Sequence, residues 1–162
     1  MIKHPQQIPV VDEAAVTTAP AEAIIEEHIA PAPRVSVQAF CETVETAAAV
    51  QSAGEDRRLA KAHIKIQMGG AIAAVEAYRS GPTPNVIIVE SEGRADEIID
   101  GLDQLAEVCD SGTRVVVIGR INDVMLYREL TKRGGSEYLI APLGTLDVVL
   151  AICGLFNQAN AK

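Results

Sequence analysis

The 162-residue sequence contains no tryptophan, two phenylalanines and three tyrosines. So few rings exclude a core built on aromatic stacking. The apolar interior must come from Val, Ile, Leu and Ala, the usual filling of a parallel sheet covered on both faces. Basic residues are also scarce: 14 Lys and Arg stand against 22 Asp and Glu, for a net charge of −8. Nucleic-acid phosphates demand a basic face, and so does an anionic membrane surface, so neither is expected as a partner. No apolar run reaches the length of a membrane span. The opening MIKHPQQIP lacks the apolar stretch of a secretory signal. No membrane insertion is expected, and the chain reads as cytoplasmic.

Cysteine is rare and odd in number. Cys41, Cys109 and Cys153 lie far apart, and no pair has zinc-ligand spacing. His4, His28 and His63 are equally scattered. A disulfide framework and a metal site are therefore not expected. Each cysteine sits in or beside an apolar run and reads as a buried free thiol in a reducing compartment. Enzyme signatures are missing too. There is no GxxxxGK[ST] phosphate loop and no GxSxG elbow, and Gly69-Gly70 is a helix-entry turn without the rest of a GxGxxG. We expect no cofactor and no enzyme.

What remains is patterned. Residues 1–33 hold five of the eight prolines, no glycine, and one Lys against five acids. Such a segment cannot bury enough surface to offset its ordering entropy, and it reads as a disordered acidic tail. Within it, AEAIIEEHIA (21–30) clusters Ile24, Ile25 and Ile29, as either a docking peptide or a solvated linker. From Arg34 the texture alternates. RVSVQAF (34–40), HIKIQ (63–67), NVIIVES (85–91), TRVVVIGR (113–120) and SEYLIAP (136–142) read as strands. The helices are 42–54, 69–81, 95–109, 122–135 and 144–156, the fourth with Asn122 as N-cap and Gly134 just past its end. In the second helix Val75 and Tyr78 face inward; in the third, Ile98, Leu102, Leu105 and Val108 recur at helical spacing. Five strands alternating with five helices demand a parallel sheet with right-handed crossovers. The size is that of a flavodoxin-like, doubly wound domain of strand order 2-1-3-4-5, over residues 34–156.

In that fold, ligands collect at the carboxyl ends of strands. GGSEYLIAP followed by a long helix resembles the end of a response-regulator receiver domain, and PNVIIVE resembles its third strand. The receiver pattern implies an acidic pair for magnesium, a phosphoryl-accepting aspartate, a hydroxyl and a lysine. This sequence replaces them all. Ala39-Phe40-Cys41 stands for the acidic pair, with Glu42 the first acid. Glu90 stands for the aspartate, Gly119 for the hydroxyl and Ala141 for the lysine; Pro142 survives. The resemblance implies a cis bond before Pro142. Mg²⁺ wants hard oxygens in octahedral geometry, and a lone glutamate is a poor cage. We expect Glu90 to be a carboxylate at a solvated strand end that fixes the local turn.

The wording is more specific than the fold. VSVQAFCETVETAAAVQSAGEDRRLAKAHIKIQMGGAIAAVEAY, PTPNVIIVES and VVVIGRINDVMLYRELTKRGGSEYLIAPLGTLDVV together resemble the N-terminal domain of the CpaE/TadZ family of pilus assembly proteins. That resemblance implies an atypical receiver joined to a MinD-like ATPase within the Flp/Tad pilus secretion machinery, often at a cell pole. Residues 157–162 would begin the linker to that ATPase. The expected function is a non-catalytic module for protein binding and localisation. The alternatives are a receiver phosphorylated by unusual chemistry, and a small-ligand sensor.

A module with an emptied site must work through a surface. In the last helix, Leu146, Val149, Leu150 and Cys153 are expected to meet the sheet. Val148, Ile152, Leu155 and Phe156 form a second apolar stripe, read as exposed. Met125 and Tyr127 on the fourth helix would extend it. Receivers pair through the fourth helix, fifth strand and fifth helix, so a homodimer or an interdomain contact is expected there.

Overall fold

A computed structural model describes residues 29–160. The acidic stretch up to residue 28 lies outside the described residues, and with it most of the expected tail. Packing begins earlier than Arg34: Ala32 is buried, and its N–H donates to the Arg58 carbonyl (2.9 Å).

Five parallel strands form one sheet: β1 (Ser36–Cys41), β2 (His63–Met68), β3 (Val86–Glu90), β4 (Arg114–Gly119) and β5 (Glu137–Ile140). Their order is β2-β1-β3-β4-β5, the flavodoxin-like order expected. The helices are α1 (Val44–Gly54), α2 (Gly70–Tyr78), α3 (Ala95–Val108), α4 (Val124–Lys132) and α5 (Thr145–Asn160), with a 3₁₀ turn at Arg57–Leu59. The expected elements are all present, most of them trimmed by a residue or two at the ends. The last helix is longer than expected and runs through Asn160, into the stretch read as a linker.

Strand alternation divides the core into two layers. Phe40, Ile87, Val89, Val115, Val117 and Tyr138 face α2, α3 and α4, whose Val75, Ile98, Leu102, Leu105, Leu126 and Leu130 close over them. Tyr78 packs edge-on against Phe40 (ring centroids 5.8 Å apart, 84° between planes). On the opposite face, α1 and α5 pack together. Helix ends follow local chemistry. Thr43 caps α1, its hydroxyl accepting from the Thr46 N–H (3.2 Å). The cap of α4 is Asp123 rather than Asn122, because its carboxylate reaches the Met125 N–H (2.8 Å). Gly134, at φ +105°, lets the chain leave α4 in the left-handed region, as expected.

The surface reading of the last helix needs correction. Val148, Ile152 and Leu155 are buried, together with Val149 and Cys153. At about 100° per residue the two apolar stripes are neighbours, so they merge into one broad face that the sheet and α1 cover together. Phe156 is half-buried beneath the Arg114 guanidinium, 4.9 Å from its ring centroid. Leu146 and Leu150, expected in the core, lie at the flank and are half-exposed.

Candidate functional site

The carboxyl ends of β1, β3, β4 and β5 converge at one edge of the sheet, and Glu90 stands at the centre. Contrary to expectation it is not solvated: 1% of its surface is exposed. Its Oε1 accepts the backbone N–H groups of Glu42 (2.7 Å) and Thr43 (2.9 Å). Its Oε2 accepts the hydroxyls of Thr43 (2.9 Å) and Thr46 (2.8 Å). All these donors belong to the entry and first turn of α1, where unpaired N–H groups and the helix dipole favour a negative charge. The carboxylate therefore ties β3 to α1, and its oxygens are taken up inside the protein. The extra methylene relative to aspartate gives the reach.

The other degenerate positions follow the same logic of filling. Ala39 and Cys41 are fully buried on the α1 face of β1, and Phe40 points to the other layer. Continuing the β1–β3 register by one residue sets Cys41 beside Glu90. Burial, reinforced by the Glu90 charge, pushes the Cys41 thiol up to about 11. At neutral pH it is therefore a protonated thiol where a receiver would offer a second carboxylate. Glu42, the remaining acid, is exposed, and its Oε1 accepts the Glu92 N–H (2.7 Å).

Gly119 is short for a steric reason. A Cβ there would stand 2.6 Å from the Tyr138 hydroxyl. Tyr138 is buried against Gly119, and its hydroxyl donates to the Ile121 carbonyl (2.8 Å). Ala141 is buried, donates its N–H to the Gly119 carbonyl (2.7 Å), and precedes Pro142 through a cis bond, as the receiver resemblance implies. A methyl group thus occupies the lysine's place. Arg120, just past the end of β4, is held by Glu92 (3.2 Å).

Sequence reasoning found Glu90, Cys41, Gly119 and Ala141 but missed Thr43, Thr46 and Tyr138. Thr43 and Thr46 were readable as a hydroxyl cap with a second hydroxyl three residues on. Tyr138 carried no signal beyond strand alternation.

A second region presents apolar surface. On α4, Val124, Met125 and Tyr127 are exposed, and on β5 so is Ile140. The Tyr127 hydroxyl donates to Glu137 Oε1 (3.3 Å), joining the helix to the strand. Beside β5, a groove of about 330 Å³ is lined by Leu139, Ile140, Leu143, Leu150 and Ala151. So α5 does reach this face, but through Leu150 and Ala151 instead of Val148 and Ile152. Among the described residues no group of His, Cys, Asp and Glu could hold a metal ion, and no helix is long and apolar enough to cross a membrane.

No family model matches the chain, and no curated protein matches it. Solved structures do. A two-component response regulator from Clostridium difficile is 14% identical, covers 77% of this chain and 98% of its own, and superposes with a TM-score of 0.60; that likeness supports the receiver fold. A CpaE2 pilus assembly protein from Sinorhizobium meliloti 1021 is 39% identical, covering 75% of this chain and 100% of that one, TM-score 0.73. The pilus assembly protein CpaE from Caulobacter crescentus CB15 is 46% identical, covering 79% and 98%, TM-score 0.75. Identity at that level, over nearly the whole of each matched chain, is more than a shared fold produces, and this chain belongs to the CpaE family of pilus assembly proteins.

Proposed function

We propose that this chain is a receiver-derived module that accepts no phosphoryl group and acts in pilus assembly by binding proteins. The observation that carries this reading is the buried Glu90 carboxylate, whose two oxygens take four α1 donors. Phosphoryl transfer needs an exposed acceptor, charge neutralisation and in-line access. Here the acceptor position is enclosed, and no ammonium group stands at Ala141.

The Mg²⁺ that receivers use does not fit these residues. It asks for an octahedral set of hard oxygens at about 2.1 Å. Glu90 is committed to α1, Glu42 to the Glu92 N–H, and Cys41 offers a protonated thiol. No step is therefore derived through a metal. With the acceptor enclosed, the exposed apolar surface on α4 and β5 becomes the working part. The family resemblance suggests its partners: a MinD-like ATPase domain and the Flp/Tad secretion machinery, with placement at a cell pole.

The test is incubation of the full chain with acetyl phosphate and Mg²⁺, followed by intact mass measurement. The mass should not change. A phosphoryl adduct that disappears in Glu90→Gln would return the protein to the class of phosphorylated receivers.

A further inference from the structure

The outer strand β2, like β5 at the other edge of the sheet, is paired on one side only among the described residues, and at six residues it is the longer of the two. His63 N–H donates to the Val35 carbonyl and Gly69 N–H to the Cys41 carbonyl, both at 2.8 Å. Along a parallel strand, alternate residues turn their backbone groups to the same neighbour. His63, Lys65 and Gln67 therefore face β1, while Ile64 and Ile66 turn N–H and C=O outward. Among the described residues no strand pairs with them. A six-residue edge of this kind is a template for another strand.

The two faces beside that edge have opposite chemistry. On the α1 side, Ile64 and Ile66 are half-exposed and form, with Val50 and Ala62, the apolar wall of a groove of about 490 Å³ whose rim carries Gln51 and Glu55. On the other side, His63 and Lys65 are exposed beside Tyr78 and Pro84. Lys61, just before the strand, is exposed as well. None of Lys61, His63 and Lys65 joins an ion pair among the described residues, although acids outnumber bases in this chain.

We propose that β2 is a docking edge for an extended segment of a partner protein, with alternating apolar and acidic residues, which adds as a sixth strand. Its backbone would pair with the outward groups of Ile64 and Ile66. Side chains of an added strand alternate between faces. Apolar ones would enter the Val50–Ile64–Ile66 groove, and acidic ones would lie over Lys65 and His63. Charge complementarity selects this occupant: a second copy of β2 would bring its own cations onto these. Lysine on an edge can also repel unwanted strands, but here Lys65 lies on one face, while Ile64 and Ile66 with Gln51 and Glu55 lie on the other, so the edge selects by sequence. This site lies at the opposite edge of the sheet from β5 and is independent of the α4–β5 surface.

The experiment uses the full chain and a fluorescein-labelled octapeptide alternating Val and Glu. Fluorescence anisotropy should show saturable binding that weakens as salt rises. Amide exchange at Ile64 and Ile66 should slow on binding. Lys65→Glu, an exposed change, should weaken binding by about tenfold, the loss of one charge pair. A Val–Lys octapeptide should not bind, nor should a Val–Glu peptide N-methylated at alternate positions. The proposal fails if the Val–Glu peptide shows no saturable binding, if the lysine or N-methylated peptide binds as well, or if Lys65→Glu has no effect. It also fails if the Ile64 and Ile66 amides are already protected without peptide, since another occupant would then hold the edge.

Discussion

At the scale of single residues, the emptied receiver site is a site refilled. Each missing functional group has a buried substitute, and at Gly119 a neighbour sets its size. Gly119 is the clearest case, because the room left by its absent side chain holds the Tyr138 ring and hydroxyl. From sequence, Gly119 was legible as a lost hydroxyl. The cause of the loss was not, because it lies on β5, 19 residues downstream. Glu90 was legible as a strand-end carboxylate, but its burial was not, since the donors belong to α1, 44 to 48 residues away. A close approach between Gly119 and Tyr138 has a measurable consequence. Gly119→Ala should destabilise the protein by about 1–3 kcal/mol through overpacking. In a Tyr138→Leu background the same change should cost less than about 0.5 kcal/mol, because the clashing atoms are gone. Urea unfolding of the four proteins in the cycle checks this; equal costs in both backgrounds would refute the packing account.

Among elements, the Glu90 bridge is a long-range helix cap. Most caps are local, a side chain serving the turn it precedes. Here Thr43 supplies the local cap and β3 supplies a second from across the layer. The element order and sheet topology followed from alternation, and the α3 face from its spacing. The faces of α5 did not, because a helix apolar over so wide an arc gives periodicity little to grip; burial of Val148 and Ile152 depends on how α1 lies against it. The cap predicts a stability cost that spreads to α1. Glu90→Ala would leave two backbone N–H groups and the Thr43 and Thr46 hydroxyls without this acceptor. The expected loss is about 2–4 kcal/mol, with Glu90→Gln losing less because it keeps one carbonyl oxygen at the same reach. Denaturant midpoints would measure both, and amide exchange should show faster opening in the first turn of α1. A loss under about 1 kcal/mol in Glu90→Ala would mean that water replaces the carboxylate and that the bridge is not structural.

For the molecule as a whole, the question is which surface meets a partner. Charged and exposed apolar groups are unevenly spread. The β2 edge carries Lys61 and Lys65, which join no ion pair among the described residues, whereas α4 and β5 carry Val124, Met125, Tyr127 and Ile140 in the open. The receiver resemblance implies pairing through this patch. We expect the chain to form a dimer through it. Met125→Glu combined with Ile140→Glu would set two carboxylates into the apolar patch. Both positions are exposed, so folding stability should change by no more than about 0.5 kcal/mol at each. Association should nevertheless be lost, with sedimentation velocity changing from dimer to monomer. Ile152→Glu is the instructive contrast. Sequence periodicity alone would put it on the same surface, but Ile152 is fully buried between α5 and its neighbours. A charge there would unfold the domain and so appear to disrupt binding. Measuring stability beside association separates the two cases: a folded monomer identifies the interface, an unfolded chain identifies the core. If the Met125/Ile140 double variant stays folded and dimeric, the pairing surface lies elsewhere, and a parent chain that is monomeric at every concentration refutes the dimer itself.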